Sequence, residues 1–156
     1  MTAWLLGLTA LACALMGGIF FAFSSFIMPA LSRISIEEGI HAMQRINVDV
    51  YHWTFMPAFF LTPIACMVTA VQTFRTAHSD AAVYAIIGCA VYVVGNFVVT
   101  AAGNVPLNNA LAAVDASTAD ASRVWSHYVS TWTRWNHVRT VASMFAAASF
   151  LVALTR

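Results

Sequence analysis

AAVYAIIGCAVYVVGNFVVTAAGNV, residues Ala81–Val105, holds no charged side chain in 25 positions. A helix needs about 20 mostly apolar residues to cross the hydrocarbon core of a bilayer. The same stretch carries Asn96, Thr100 and Asn104 four residues apart, and Asn108 continues the series. Residues at that spacing lie on one helix face. The run therefore predicts a membrane-spanning helix with a polar ladder along one side. An amide in hydrocarbon is costly without a partner, so the ladder must face protein or ligand rather than lipid.

Three further apolar runs flank this one, giving spans at about 3–30, 50–74, 81–105 and 137–154. The composition agrees. Hydrophobic residues make up 61% of the chain and charged residues 8%, and the mean hydropathy is +0.78. A soluble domain is about 45–50% apolar and about 25% charged. The expected fold is all-α: residues 1–156 form a single integral membrane domain, a four-transmembrane-helix antiparallel bundle. The short Arg75–Asp80 link predicts a tight hairpin between the second and third spans. Two long segments, Ser32–Asp49 and Leu107–His137, then fall on one side of the membrane. Helices 2 and 4 should extend beyond the membrane there. Ser35–Glu38 and Ser117–Asp120 match the capping-box pattern, and Ala119–Leu154 contains no Gly or Pro. The second helix should begin at Ile36 and kink near Pro57 and Pro63.

Small residues at Ala10, Ala14, Gly18 and Ala22, and at Ala142, Ala146 and Ala147, suit close helix packing. Arginine counts favour a cytoplasmic long-loop side, with Arg33, Arg45, Arg123, Arg134 and Arg139 there against Arg75 and Arg156 opposite. A formal net charge of +1 offers no basic patch for nucleic acid. The first 32 residues lack charge, so no signal-peptide n-region is present, and the first span reads as retained. Cys13, Cys66 and Cys89 sit in apolar runs without metal-ligand spacing and read as packing residues. Phosphate-binding loops, nucleophile elbows and dinucleotide-binding glycine motifs are absent from the sequence.

Helical wheels gather polarity at one place. On the last helix Trp125, Tyr128, Trp132, Trp135, Asn136, Arg139 and Ser143 form one stripe, with Arg123, His127, Arg134 and His137 opposite. On the second, Ile36, Ile40, Met43, Asn47, Val50 and Thr54 face inward, with Glu38, His41, Arg45, Asp49 and His52 outward. Ser24 and Ser25 add to the same level from the first helix. Single Asn, Ser or Thr residues in membrane helices often serve only as interhelical glue, and Trp and Tyr mark the interface. The convergence of the whole set on a buried arginine predicts instead a polar pocket with aromatic walls. No acid lies inside a span, so nothing marks a proton-coupled transporter. The histidines fall on solvated faces and show no HExxH-like spacing, so no metal site is expected.

GGIFFAFSSFIMPALSR (Gly17–Arg33), MQRIN (Met43–Asn47), NVPLNNAL (Asn104–Leu111) and WTRWNHVRT (Trp132–Thr140) resemble the signature blocks of the anthrone-oxygenase-like membrane family. The resemblance implies a multi-pass protein, here of a bacterial inner membrane, that oxidises an anthrone-like aromatic with dioxygen. Such chemistry runs through a stabilised carbanion and favours no cofactor, with haem or copper left open. It implies stacking and hydrogen-bonding roles for Trp132, Trp135, Asn47, Asn104, Asn108 and Asn136, an oxyanion role for Arg139, and a base in His137 or His41. The expected partners are the lipid bilayer and a small lipophilic molecule, with a homo-oligomer or a membrane complex open. The alternative is a non-catalytic lipophile-binding or accessory subunit of a larger membrane complex.

Overall fold

A computed structural model of the chain describes residues 2–76 and 79–156. Five helices follow in order: α1 (Thr2–Leu31), α2 (Ile36–Asp49), α3 (Phe55–Thr76), α4 (Asp80–Ala112) and α5 (Ala121–Leu154). No strand occurs among the described residues. Helices α1, α3, α4 and α5 are long and apolar enough to cross a membrane, and they pack as a bundle. The protein is a multi-pass integral membrane protein. The expected hairpin at Arg75–Asp80 includes residues 77 and 78, which lie outside the described residues.

α5 runs unbroken for 34 residues, or about 50 Å at 1.5 Å per residue. Its start differs from expectation. Ser117 makes no capping box. Its backbone N–H and its hydroxyl both donate to Asp115 Oδ1, at 3.0 and 2.7 Å. These bonds hold the Asp115 carboxyl below the usual range. The helix begins only at Ala121, after Asp120.

The second apolar segment is not one extended helix. It breaks at Val50–Thr54 between α2 and α3. Pro57 supplies the reason. A continuous helix would need an N–H there to bond Trp53, and the proline ring would strike that same carbonyl. Pro57 is tolerated in the first turn of α3, where no donor is needed. Pro63 stays inside α3.

α2 instead lies across the ends of α4 and α5. Its Ile40 and Met43 join Met28, Leu111, Trp125, Tyr128 and Trp132 in one buried cluster. Gln44 Nε2 donates to the Leu111 and Val114 carbonyls at 2.9 and 3.0 Å, satisfying acceptors left open at the end of α4. The expected capping box is present at the other end of α2: Ser35 Oγ accepts from the Glu38 N–H, and the Ser35 N–H donates to the Glu38 carboxylate. The Ser35 hydroxyl also donates to Glu38 Oε2 at 2.7 Å, and this bond first, then the one from the Ser35 N–H, lowers the Glu38 pKa. Because the folded value is depressed, the box stabilises α2 above the unfolded pKa and is lost as pH falls through the folded one. Ser35→Ala should move the Glu38 titration midpoint upward, towards the ordinary glutamate value, in an NMR titration. An unmoved midpoint would show that the box contributes nothing.

Within the bundle, α1 buries Leu6, Ala10, Cys13, Met16, Gly17 and Phe20 against α3 and α5. Of the small-residue ridge, Ala10 is buried and Ala14 packs against the core, but Gly17 takes the place expected of Gly18. Gly17 meets Ser143 Cβ and Met144 Sδ, while Gly18 faces open space. A second seam joins α4 to α5, where Gly88, Gly95 and Gly103 approach Ser149, Ala142 and Trp135.

Two π-helical stretches, Val93–Val98 and Thr100–Asn104, interrupt α4. A step of four overshoots one α-turn but falls short of the wider π-turn. The π-turns over Asn96–Asn104 and the α-turn over Asn104–Asn108 drift in opposite senses, which limits the spread of the ladder. Asn96 and Asn104 are buried, and Thr100 and Asn108 are half-buried.

Candidate functional site

Where α2 departs from α3, the bundle encloses a cavity of about 700 Å³. That lies within the range of small-molecule sites, about 300–1,000 Å³. Its walls are mostly apolar: Ile19, Phe20 and Phe23 from α1, Met43 and Ile46 from α2, and Phe55, Met56, Phe59 and Phe60 from α3. The polar lining comes from Asn47 and Asp49 on α2, Tyr51 in the break, Thr100, Asn104 and Asn108 on α4, and Arg139 on α5. Trp132 lies among them, its ring centroid 5.6 Å from that of Phe23.

Arg139 is 6% exposed. Its Nη2 donates to Asn136 Oδ1 at 2.7 Å and its Nη1 to Thr100 Oγ1 at 3.3 Å. The guanidinium lies 4.4 Å above the Phe20 ring and 5.1 Å from that of Trp132, and both contacts favour a cation. Among the described residues no carboxylate pairs with it, and its Nε has no hydrogen-bond partner. A buried cation without a counter-charge is expensive in a membrane. The surroundings hold it with neutral oxygens and aromatic faces, leaving its charge available to an anion in the cavity.

The amides have fixed orientations. Asn108 Oδ1 accepts from both Tyr128 Oη and Trp132 Nε1, each at 2.9 Å, so its NH₂ is the group left over. Asn104 is the reverse. Its Nδ2 donates to the Trp132 carbonyl at 3.3 Å, and its buried Oδ1 is unpartnered among the described residues. Asn47 Nδ2 reaches Tyr128 Oη at 3.4 Å. The site therefore offers donors from Arg139 and Asn108, while Asn104 Oδ1 stays buried in the wall. Tyr128 stacks between Trp125 and Trp132, with centroids 5.8 and 6.1 Å apart, which stiffens the wall that holds Asn108.

Five of the residues read from the sequence line the cavity together: Asn47, Asn104, Asn108, Trp132 and Arg139. Asn136 is fully buried behind them. Its Nδ2 donates to the Phe20 carbonyl at 2.6 Å and to Ser24 Oγ at 2.7 Å, so it ties α1 to α5 and positions Arg139. Asn96 donates to Ser143 Oγ at 2.7 Å and serves helix association below the cavity.

Three residues are not brought there. Trp135 is 41% exposed and covers Gly103 on the outer side of the α4–α5 seam. It shares the broad stripe on a wheel, but the close approach at Gly103 excludes it from the interior. His41 and His137 are exposed and line no part of the cavity. His137 follows Asn136 directly, so helical geometry turns it about 100° away. Asp49, placed on the outer face of a continuous second helix, in fact lies on the cavity wall, because the helix ends there. The aromatic run Phe20–Phe23 could have been found from the GGIFFAF motif, but not its position under Arg139. Among the described residues no three His, Cys, Asp or Glu side chains gather as a metal-binding group.

No curated protein and no solved structure matches the chain. Residues 49–149 match the family described as anthrone oxygenase. That segment runs from the end of α2 through all of α3 and α4 to Ser149 of α5, and it contributes Asp49, Asn104, Asn108, Trp132 and Arg139 to the cavity. With well over half its length matched, the chain belongs to the anthrone oxygenase family.

Proposed function

We propose that the protein is an oxygenase acting on a flat, lipophilic, anthrone-like aromatic within this cavity. The observation that carries the reading is the buried Arg139, which lines the cavity and among the described residues has no carboxylate partner. An anthrone loses a proton from its ring methylene, and the electron pair delocalises onto the carbonyl oxygen opposite. Arg139 and the Asn108 NH₂ stabilise that oxyanion, a role in which preorganised donors in a water-poor site are most effective. Trp132 and the phenylalanines of α1 and α3 hold the ring system by stacking. The carbanion then takes up dioxygen to give a hydroperoxide. Loss of water leaves the quinone, so one anthrone and one O₂ yield one anthraquinone and one H₂O.

On this reading the chain works as a single domain of four antiparallel spans. The cavity lies at the membrane level nearest Arg33, Arg45, Arg123 and Arg134. Even without the site residue Arg139, that side outnumbers Arg75 and Arg156, so the cavity end faces the cytoplasm of a bacterial inner membrane.

A second reading, a lipophile-binding or accessory subunit, draws on α1. Gly7 and Gly18 have nothing within 4 Å of an added Cβ, and Leu8, Leu11 and Leu15 are exposed beside them, an apolar face that suits another helix. One experiment separates the two. Protein purified into lipid nanodiscs is supplied with an anthrone in air, and quinone formation and oxygen uptake are followed together. Oxygenase function predicts both well above the uncatalysed rate in a one-to-one ratio. Quenching of tryptophan fluorescence without turnover would support the binding subunit and overturn the oxygenase.

A further inference from the structure

We infer that Asp49 is the proton acceptor of this site. The inference rests on the oxygenase reading and assigns the base from among the cavity's own lining residues, to which His41 and His137 do not belong. Deprotonating a ring methylene needs a base within reach of the bound substrate. Among the residues that line the cavity, Asp49 carries the sole carboxylate. It ends α2 at the break, and its side chain is 45% exposed, which puts it at the rim. Arg139 is buried in the wall. In an anthrone the acidic methylene and the carbonyl lie at opposite ends of the central ring. A substrate with its carbonyl oxygen at Arg139 therefore directs its methylene away from the guanidinium, towards the rim.

The local contacts suit proton transfer. Arg45 Nε donates to the Asp49 carboxylate at 3.1 Å. A carboxylate has about four lone-pair sites, so acceptor capacity remains for the proton. His52 Nε2 lies 4.0 Å from Asp49 Oδ1 and is itself 67% exposed, offering a route from the carboxyl to water. In the step, the methylene C–H bond breaks and its proton goes to Asp49. The electron pair moves onto the carbonyl oxygen facing Arg139. A carboxylate base set against fixed donors for the enolate oxygen is a workable pairing for abstraction of a proton whose electron pair is conjugated with a carbonyl.

Proton abstraction can be read without oxidation. Under anaerobic conditions in deuterated water, the wild-type protein in nanodiscs should exchange the methylene hydrogens of an anthrone faster than buffer does. Asp49→Asn should lose that exchange by at least about 100-fold, in line with removal of a general base, yet still quench tryptophan fluorescence on binding anthraquinone. Asp49→Glu should recover part of it, and His137→Ala should exchange as wild type. Wild-type exchange in Asp49→Asn, alongside normal turnover, overturns the assignment and leaves the oxygenase reading intact. Absence of both exchange and turnover in wild type overturns both. Loss of exchange in His137→Ala with Asp49→Asn unaffected would return the role to the histidine.

Discussion

Arg139→Met is expected to lower quinone formation by about 100-fold or more, the usual effect of removing one strong oxyanion donor, while leaving the protein folded. Two terms decide the stability side. The substitution leaves Asn136 Oδ1 without its donor, which costs about 1–3 kcal/mol for a buried acceptor. It also removes a buried cation that has no carboxylate partner among the described residues, and replacing buried charge with apolar volume is often neutral or stabilising by about 1–4 kcal/mol. The terms nearly cancel, so the thermal midpoint should shift by only a few degrees in either direction. Activity and stability therefore separate at this position. A merely structural arginine would give the opposite pattern, with a large fall in the midpoint and turnover per folded molecule unchanged. Arg139→Lys is a useful companion. It keeps the charge but cannot span Asn136 and Thr100 with a planar fork, so its turnover should fall between the two.

The largest effect on folding is expected at Gly95. A Cβ added there would collide with the Cβ of Ala142, with the Ala142 Cα only 3.8 Å away. Neither atom is the end of a flexible side chain, so relief requires α4 and α5 to separate. Overpacking usually costs about 1–3 kcal/mol, and Gly95→Val should lie at or above the top of that range. The consequence reaches the site. Thr100 lies beyond Gly95 on α4, Arg139 lies one turn from Ala142 on α5, and their hydrogen bond is already long at 3.3 Å. Separation of the helices should break it. Gly95→Ala should be milder, and adding Ala142→Gly should restore much of the loss. That gives a double-mutant cycle with a coupling energy of about 0.5–3 kcal/mol for residues in contact. Thermal unfolding in detergent measures all four proteins. Strictly additive effects would show that the seam is not the point of closest contact.

The two substitutions test different parts of one arrangement. Asn136 grips α1 through Phe20 and Ser24 and orients Arg139 from the same helix. Gly95 lets α4 approach closely enough for Thr100 to complete the arginine's hold. The cavity is the space left when α2 turns across the ends of α4 and α5. Its polar groups were not added to a finished bundle, because several of the same hydrogen bonds also join the helices.

Much of this was legible in the linear sequence. The absence of charge from Ala81–Val105 and the three other apolar runs determine four membrane-crossing helices, because hydrocarbon excludes unpaired backbone. The spacing Asn96–Thr100–Asn104–Asn108 and the stripe through Trp132, Asn136 and Arg139 determine which faces turn inward, because an amide or guanidinium facing lipid would be too costly. The Ser35–Glu38 pattern marked the start of α2, because a capping box is made of neighbouring residues.

What the sequence left undecided depended on contacts between distant segments. Continuity of the second helix turned on whether α2 could find a better surface elsewhere once Pro57 removed a donor, and Leu111, Trp125 and Trp132 provide it. The broad wheel stripe could not separate Trp132 from Trp135. The closeness of Gly103 on another helix keeps Trp135 outside. Asn104 and Asn108 are alike in the sequence, yet one keeps an unpartnered oxygen among the described residues and the other an NH₂, because the Trp132 carbonyl takes the donor of the first and Tyr128 and Trp132 occupy the acceptor of the second. Helical periodicity thus determined which residues face the interior. Only tertiary packing decided which polar atoms stay free, because a hydrogen bond's remaining capacity depends on partners brought from other helices.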